Sequence, residues 1–325
     1  MTISFITRRQ FVAGGLAAAS TAVARAESGY PARPIRIVVP VAPGGFADTL
    51  PRLIAEKLAA RWNQSIVVEN RPGAGLNIGA EAVAKSAPDG YTLLATPPGP
   101  LVTNQALYPT LGYDPSAFVP VTIVAKGPFL LVARRTLPVT SLAEFIAYAK
   151  ANPNRLNYGS AGAGSMPHLA SEMLKSKAGI SLVHVPYKGL TPALTDLIAG
   201  HVDMMFHDVA SVSSQIKAGQ VRLLGTGGDA PVPEFSDAAP IANIFPGFSA
   251  GAWYTVVAPP KTPPAIAAKL SQAIAEVLRA PEVVSKLREV SISPVGTSPQ
   301  ETAAFLKQET ERYRQIIVSA GIKGE

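Results

Sequence analysis

Residues 40–49 read P-V-A-P-G-G-F-A-D-T and lie between a β-branched run, Ile35-Arg36-Ile37-Val38-Val39, and a helical repeat that begins near Leu50. Leu50, Leu53, Ile54, Leu58 and Trp62 share one helix face, and Pro51 suits a first turn because its missing N–H is not needed there. The stretch therefore predicts a strand, a glycine turn and a helix start. Gly44 and Gly45 would bring bare main chain to a helix N-terminus, where unpaired N–H groups and the positive end of the dipole favour an anion. The same residues also fit an ordinary tight connection in which Asp48 caps the helix. A glycine turn alone does not decide between the two.

Outward from this stretch, short β-branched runs at 65–69 and 91–96 alternate with a helical segment at 78–85, the pattern of a parallel sheet with helices on its faces. At 119–125 and 129–133 two strand runs flank Gly127-Pro128 with no helix between them, which reads as a crossing into a second lobe. There Ser141 and Glu144 mark a capping box. A strand at 156–158 then feeds Gly159-Ser160-Ala161-Gly162-Ala163-Gly164-Ser165, and Met166-Pro167-His168 starts a helix. Strands at 182–186 and 202–206 end in Tyr187-Lys188-Gly189 and His207-Asp208, with a helix at 192–199 between them. The run 221–226 is expected to return the chain to the first lobe, completed by a strand at 253–258 and helices at 263–279 and 299–319. The reading is an α/β protein of two α/β domains joined by two hinge crossings. Residues 27–125 and 227–325 form domain 1, and residues 126–226 form domain 2. Ligands of open α/β sheets sit beyond the carboxyl ends of strands, so the two glycine turns are expected to face each other across a cleft.

The chain begins with T-R-R-Q-F at 7–11, an apolar small-residue run over 12–24, and Ala24-Arg25-Ala26. This is an export signal removed after Ala26, so residues 1–26 are excluded from the fold. The paired arginines are twin-arginine-like, with Val12-Ala13 in place of the usual Leu-Lys, and the general secretion route stays open. Of the 29 basic residues, Arg8, Arg9 and Arg25 leave with the signal, so 26 remain against 22 acids, a balance of about +4. Without a dense Lys/Arg block this is no nucleic-acid footprint, and a mild positive balance suits a binder of small anions. The absence of cysteine removes disulfides, thiol chemistry and cysteine metal sites together. Hydrophobic residues make up 47% and charged residues 16%, ample for a buried core, and no apolar run after the signal reaches the length of a membrane span.

Seven runs carry a resemblance: P-A-R-P-I-R at 31–36, A-P-G-G-x-x-D at 42–48, V-E-N-R-P-G-A-G at 68–75, P-D-G-Y-T-L-L at 88–94, Y-G-S-A-G-x-G-S at 158–165, H-V-P-Y-K-G at 184–189 and I-K-A-G at 216–219. In this order they are similar to the Bug family, the TctC-type periplasmic solute-binding proteins of tripartite tricarboxylate transporters. The resemblance implies a two-lobed periplasmic binding protein of the second type, monomeric and without cofactor or metal. It would close on a small organic carboxylate and present it to integral-membrane permease subunits. The residues it points to are Gly44, Gly45, Phe46, Asp48, Ser160, Gly162, Gly164 and Ser165, with Thr96, His168, Tyr187, His207 and Asp208 behind them. Val41 stands where many relatives carry Phe, which removes an aromatic wall. His207 stands where relatives often carry Asp, which weakens the case for an amino-acid ligand, unless His207 points away and Asp208 does the acid's work.

Enzymatic readings lack their contexts. Gly247-Phe248-Ser249-Ala250-Gly251 matches the hydrolase elbow G-x-S-x-G, which needs a strand before it and a later His, yet the strand follows and His168, His184, His201 and His207 all precede Ser249. The glycines at 73–79 are followed by no acid at the end of the next strand, where Thr96-Pro97-Pro98 stand. A metal site from His201, Asp203, His207 and Asp208 is disfavoured because alternation sends His207 and Asp208 to opposite faces of a strand.

Overall fold

A computed structural model describes residues 29–323, and the export segment expected over 1–26 lies outside the described residues. In chain order the first half contains β1 (Ile35–Val39), α1 (Phe46–Trp62), β2 (Ile66–Asn70), α2 (Asn77–Ala84), β3 (Thr92–Thr96), α3 (Asn104–Leu107), β4 (Val119–Arg134), α4 (Leu142–Ala151) and β5 (Asn157–Ser160). The second half contains α5 (Met166–Ala178), β6 (Val183–Pro186), α6 (Leu190–Ala199), β7 (Met204–Asp208), α7 (Val209–Lys217), β8 (Val221–Thr226), β9 (Gly251–Ala258), α8 (Pro264–Leu278), α9 (Pro281–Glu289), β10 (Ser293–Pro294) and α10 (Pro299–Ala320).

The strand order β2-β1-β3-β9-β4-β7-β5-β6 joins both lobes, with β8 and β10 also paired to β4. β1 lies parallel between β2 and β3, and β9 is antiparallel to β3. The first-lobe core packs Ile35 and Ile37 of β1 and Leu93 of β3 against Leu50, Ile54 and Leu58 of α1 and against Leu270 and Ile274 of α8. In the second lobe β5 lies parallel between β6 and β7. Its core divides over the two sheet faces because side chains alternate along β7, Met204 and Phe206 facing α4 and α5 and Met205 facing α6 and α7.

The two runs expected around Gly127-Pro128 form one strand. β4 is 16 residues long, about 50 Å at strand rise. Its first part pairs with β9 and its last part with β7 and β8. Gly127 and Pro128 sit where β4 changes partners, so a missing ladder N–H there is tolerated. The return crossing falls later than expected. β8 pairs with the second-lobe part of β4, and Ile241, Phe248 and Ala250 pack into the second-lobe core, so the chain comes back along β9. The segment 227–250, expected in domain 1, thus packs with the second lobe.

Two further differences have local causes. α1 begins at Phe46, and Pro51 lies in its second turn, where only the bond to the Ala47 carbonyl is lost. Pro281 opens a separate α9 after α8 ends at Leu278, where the sequence reading has no element.

The back of the hinge is covered by α10, whose start is fixed by a complete capping box between Ser298 and Glu301. Tyr313 and Ile317 pack in one cluster with Val38 and Leu94 of the first lobe, Leu169 of the second, and Trp253 of β9. Trp253 Nε1 donates to Glu309 at 3.1 Å, and Arg312 donates to the Ser249 carbonyl.

At the crossing the backbones touch. Phe129, Gly227 and Ala250 exchange three main-chain hydrogen bonds of 2.8–3.0 Å. A Cβ on Gly251 would overlap the Gly127 carbonyl, and one on Gly227 would overlap that of Ala250. Gly251→Ala is therefore expected to destabilise the protein by roughly 1–3 kcal/mol through backbone displacement. Thermal denaturation checks it, and an unchanged midpoint would mean that the crossing strands have slack.

Candidate functional site

The first-lobe turn is built around Asp48. Gly45 is the N-cap of α1, so Asp48 is a first-turn residue and not the cap. Its side chain is buried, 3% exposed, and reaches back to accept the Gly44 N–H at 2.9 Å. Arg52 Nε lies 3.1 Å from both carboxylate oxygens, and Asn70 Nδ2 donates to one of them at 2.8 Å and to the Val41 carbonyl at 3.0 Å. The Arg52 guanidinium first, and then the Gly44 amide and Asn70, hold the Asp48 carboxyl at about 2 against its burial. Asp48 thus positions the turn, and its oxygens face their own partners. Gly44 needs to be glycine for its φ of +101°, and Cβ atoms on Gly44 and Gly45 would meet open space. The first amides of α1, at Phe46 and Ala47, have no partner inside the helix.

The second-lobe turn has a different construction. Ser160 is fully buried, and its Oγ accepts the Gly162 N–H at 3.1 Å and lies 2.6 Å from His184 Nε2. Gly162 and Gly164 take φ values of +117° and +71°. The Gly164 N–H donates to His168 Nδ1 at 2.9 Å. Ser165 is the N-cap of α5 but makes no side-chain cap, and its Oγ is buried without a partner. His168 is 5% exposed and pushed down to about 4, by burial first and by His184 next.

Beside the first-lobe turn stands Tyr254 of β9. Its ring meets Phe46 edge to face at 5.0 Å between centroids, and burial, with the nearby charge of Asp208, pushes its hydroxyl up to about 12. His207 is 2% exposed, with Nδ1 3.1 Å from Asp208 Oδ2 and Nε2 buried and unpartnered. The expectation that His207 and Asp208 part to opposite faces fails because β7 ends at Asp208, which is the N-cap of α7 and accepts the Ser211 N–H at 2.9 Å. Burial raises the Asp208 carboxyl, but His207 and Ser211 outweigh it and hold it at about 2. Among the described residues no group of three His, Cys, Asp or Glu is placed to hold a metal.

The remaining expected residues lie at the edge. Thr96 is buried at the end of β3 with Oγ1 donating to the Pro97 carbonyl at 2.9 Å, and the Tyr187 hydroxyl donates to Asp196 of α6 at 2.7 Å. Gly164 abuts Leu107 of α3, so the first lobe touches the second-lobe turn directly. Ser249 is exposed and leads into β9, the reverse of the strand-then-helix order a nucleophile elbow needs.

Sequence reasoning passes over Arg52, Asn70, Tyr254 and His184. Asn70 and His184 sit inside quoted runs, at the end of β2 and within β6, and strand-end polar residues were a usable signal. Tyr254 had none, being one of two adjacent aromatics, with Trp253, in an otherwise apolar strand.

Two α/β lobes joined by crossing strands, with a glycine turn at a helix start in each, define a periplasmic binding protein. A family model described as tripartite tricarboxylate transporter family receptor (TctC) matches residues 50–322, and the chain belongs to that family of solute-binding receptors. It is 35% identical over 297 residues to BugT of Bordetella pertussis, covering 90% of this chain and 91% of that one. Among solved structures it is similar to an R. palustris protein with adipate, at 38% identity and TM-score 0.77, covering 90% of this chain and 99% of that one. MatC from Rhodopseudomonas palustris with bound malate is similar at 33% identity and TM-score 0.73, covering 89% and 100%.

Asp48→Ala should leave Arg52 and Asn70 without their shared acceptor and cost about 1–3 kcal/mol. Chemical denaturation of the two proteins side by side tests this. Equal stability would show that the carboxylate does not hold the turn.

Proposed function

We propose that the protein is a periplasmic receptor that captures a small organic carboxylate without an amino group between its two glycine turns. It delivers the acid to integral-membrane permease subunits without altering it chemically. The observation that carries this reading is two of the three buried polar atoms without partners among the described residues, Ser165 Oγ at the second-lobe turn and His207 Nε2 at the end of β7, the third being Arg312 Nε on α10. Buried polar groups left open in a folded protein ask for a partner, and a carboxylate supplies acceptors for a hydroxyl and for an imidazole N–H. The first amides of α1 and α5 add donors and the positive ends of two helix dipoles. Asp208, the acid that would otherwise hold an ammonium, has one oxygen on Ser211 and the other on His207. Adipate and malate in the related structures are acids of this class.

The protein works as a monomer whose two lobes, divided at the β4 and β9 crossings, close on the acid and shift the population toward the form the permease meets. Export removes the segment through Ala26. Mass spectrometry of periplasmic protein should find Glu27 at the N-terminus, and an intact Met1 would reject this processing.

Calorimetric titration with succinate, adipate, citrate, benzoate, terephthalate, aspartate and glutamate tests the ligand class. An acid lacking nitrogen should bind tightest and contract the molecule in small-angle scattering. Ser165→Ala should weaken it roughly tenfold or more, the worth of one hydrogen bond to a charged group. Gly162→Val should abolish binding, because a φ of +117° excludes a branched residue. Tight binding of aspartate or glutamate alone would overturn the argument from His207 and Asp208. Normal binding by Gly162→Val would remove the second-lobe turn from the site.

A further inference from the structure

Beneath the second-lobe turn lies a group of titratable side chains bonded to the turn from behind. His168, in the first turn of α5, and His184, on β6, stack with ring centroids 3.8 Å apart and planes within 13°. Tyr158 of β5 stacks on His184 at 4.8 Å. Both imidazoles end on the turn: His168 Nδ1 accepts the Gly164 N–H at 2.9 Å, and His184 Nε2 lies 2.6 Å from Ser160 Oγ, which in turn accepts the Gly162 N–H. A ring nitrogen that accepts an N–H bond carries no proton, so His168 is neutral with its hydrogen on Nε2. Two imidazolium rings at this separation would repel each other strongly in a buried site.

The charges facing the pair are already committed. From α5, Lys175 is bonded to Glu172 at 2.6 Å, and Glu172 also accepts the Tyr158 hydroxyl. Residues 161–165 of the turn, the rest of β6 and α3 contribute no further ionisable group. On α10, which packs across the hinge beside α5, Glu309 and Arg312 pair with each other at 2.7 Å. Glu172 is the carboxylate whose charge favours a proton on both rings, but it is shared with Lys175 and Tyr158, and burial outweighs it.

We infer that His168 and His184 are positioning residues for acid capture: as neutral rings they hold the main-chain donors of the second-lobe turn in place, and protonation of His168 at Nδ1 displaces the Gly164 N–H and releases the turn and its ligand. The inference rests on the proposed carboxylate site, of which this turn is one side. The direction of the effect follows from burial. His168 is held at about 4, and His184 below its ordinary value, by burial first. With the turn swung away, a water-exposed histidine titrates near 6.5, so the released form takes up a proton that the ordered form does not. The ordered turn is therefore fully favoured above pH 6.5, loses ground between 6.5 and 4, and loses no more below 4.

The test compares adipate binding by the mature wild type with that of His168→Asn, His168→Ala and His184→Gln between pH 7.5 and pH 5.0. The doubly substituted His168→Asn/His184→Gln protein is measured alongside, and all five proteins meet the same titration of adipate itself, so differences in slope belong to the protein. The wild type should lose affinity about tenfold more steeply than the doubly substituted His168→Asn/His184→Gln protein over this range. His168→Asn places an amide oxygen where Nδ1 stood, so it should bind more weakly than wild type at pH 7.5 but more tightly than His168→Ala, and with a flatter pH profile. Equal slopes in wild type and double variant would overturn the inference.

Imidazole nitrogen NMR of the full mature chain decides independently of any variant's folding. His168 should be neutral and hydrogenated on Nε2 at pH 6, and a charged His168 beneath an ordered turn would overturn the inference. Failure of every acid to bind wild type at pH 7.5 would reject the carboxylate reading instead. The histidines are then judged by the hydrogen-exchange protection factor of the Gly164 amide, whose fall between pH 6.5 and 5 supports their role and whose constancy overturns it.

Discussion

The antiparallel ladder between β4 and β9 is the constraint on which the rest of the molecule depends. Both strands cross the boundary, paired from Val119 opposite Ala258 to Pro128 opposite Gly251, so the two lobes share one hydrogen-bonded spine. Because a Cβ on Gly251 would strike the Gly127 carbonyl, the two backbones meet directly at the crossing, and the side-chain cluster beneath α10 adds to this in placing the lobes. Everything that approaches the cleft hangs from this spine: Tyr254 directly, β3 through β9, and β7 through β4. Binding proteins that close on a ligand flex at few, well-defined points, and here two strands make the connection.

The two glycine turns are supported by electrostatically opposite means. Each must keep amides pointed outward at a glycine turn, where nothing in a helix or ladder holds them. In the first lobe the support is an ionised Asp48, whose charge is absorbed by Arg52, Asn70 and the Gly44 amide. A bare carboxylate there would repel an acidic ligand, whereas one saturated from behind presents donors and not charge. In the second lobe the support is a pair of neutral imidazoles under Ser160 and Gly164. One side is held by a permanent charge and the other by its absence.

Much of the fold was readable because the chain is locally consistent. β1, β3, β6, α4 and α6 lie within a residue or two of their sequence-based bounds, since alternation, capping and glycine stops agree there. The sequence misled where tertiary context overrides a local rule. Pro128 reads as a break but sits where β4 changes partners, Pro51 reads as a start but lies inside α1, and the loop after β8 reads as first lobe but buries Phe248 in the second. For the site, glycine turns are legible because positive φ leaves a residue-type signature. The groups that support them are not, because Asp48 looks the same in a string of letters whether it caps a helix or staples a turn, and His184 gives no sign that it will lie on His168.

The path of the chain through the two lobes also sets an order of events at synthesis. The second lobe is nearly contiguous, from the latter part of β4 to Ala250, and its strands pair among themselves and with β4. The first lobe is split, with β1, β2 and β3 near the beginning and β9, α8 and α10 near the end, and β3 gains its neighbour β9 only after the whole second lobe has been made. Contacts of such long sequence separation form late. The second lobe is thus able to settle while the first is still an open half-sheet, with the apolar faces of Val38 and Leu94 awaiting Trp253 and the C-terminal helix. Loss of even the last helix would uncover that surface, leaving one lobe intact beside an adhesive, unfinished partner.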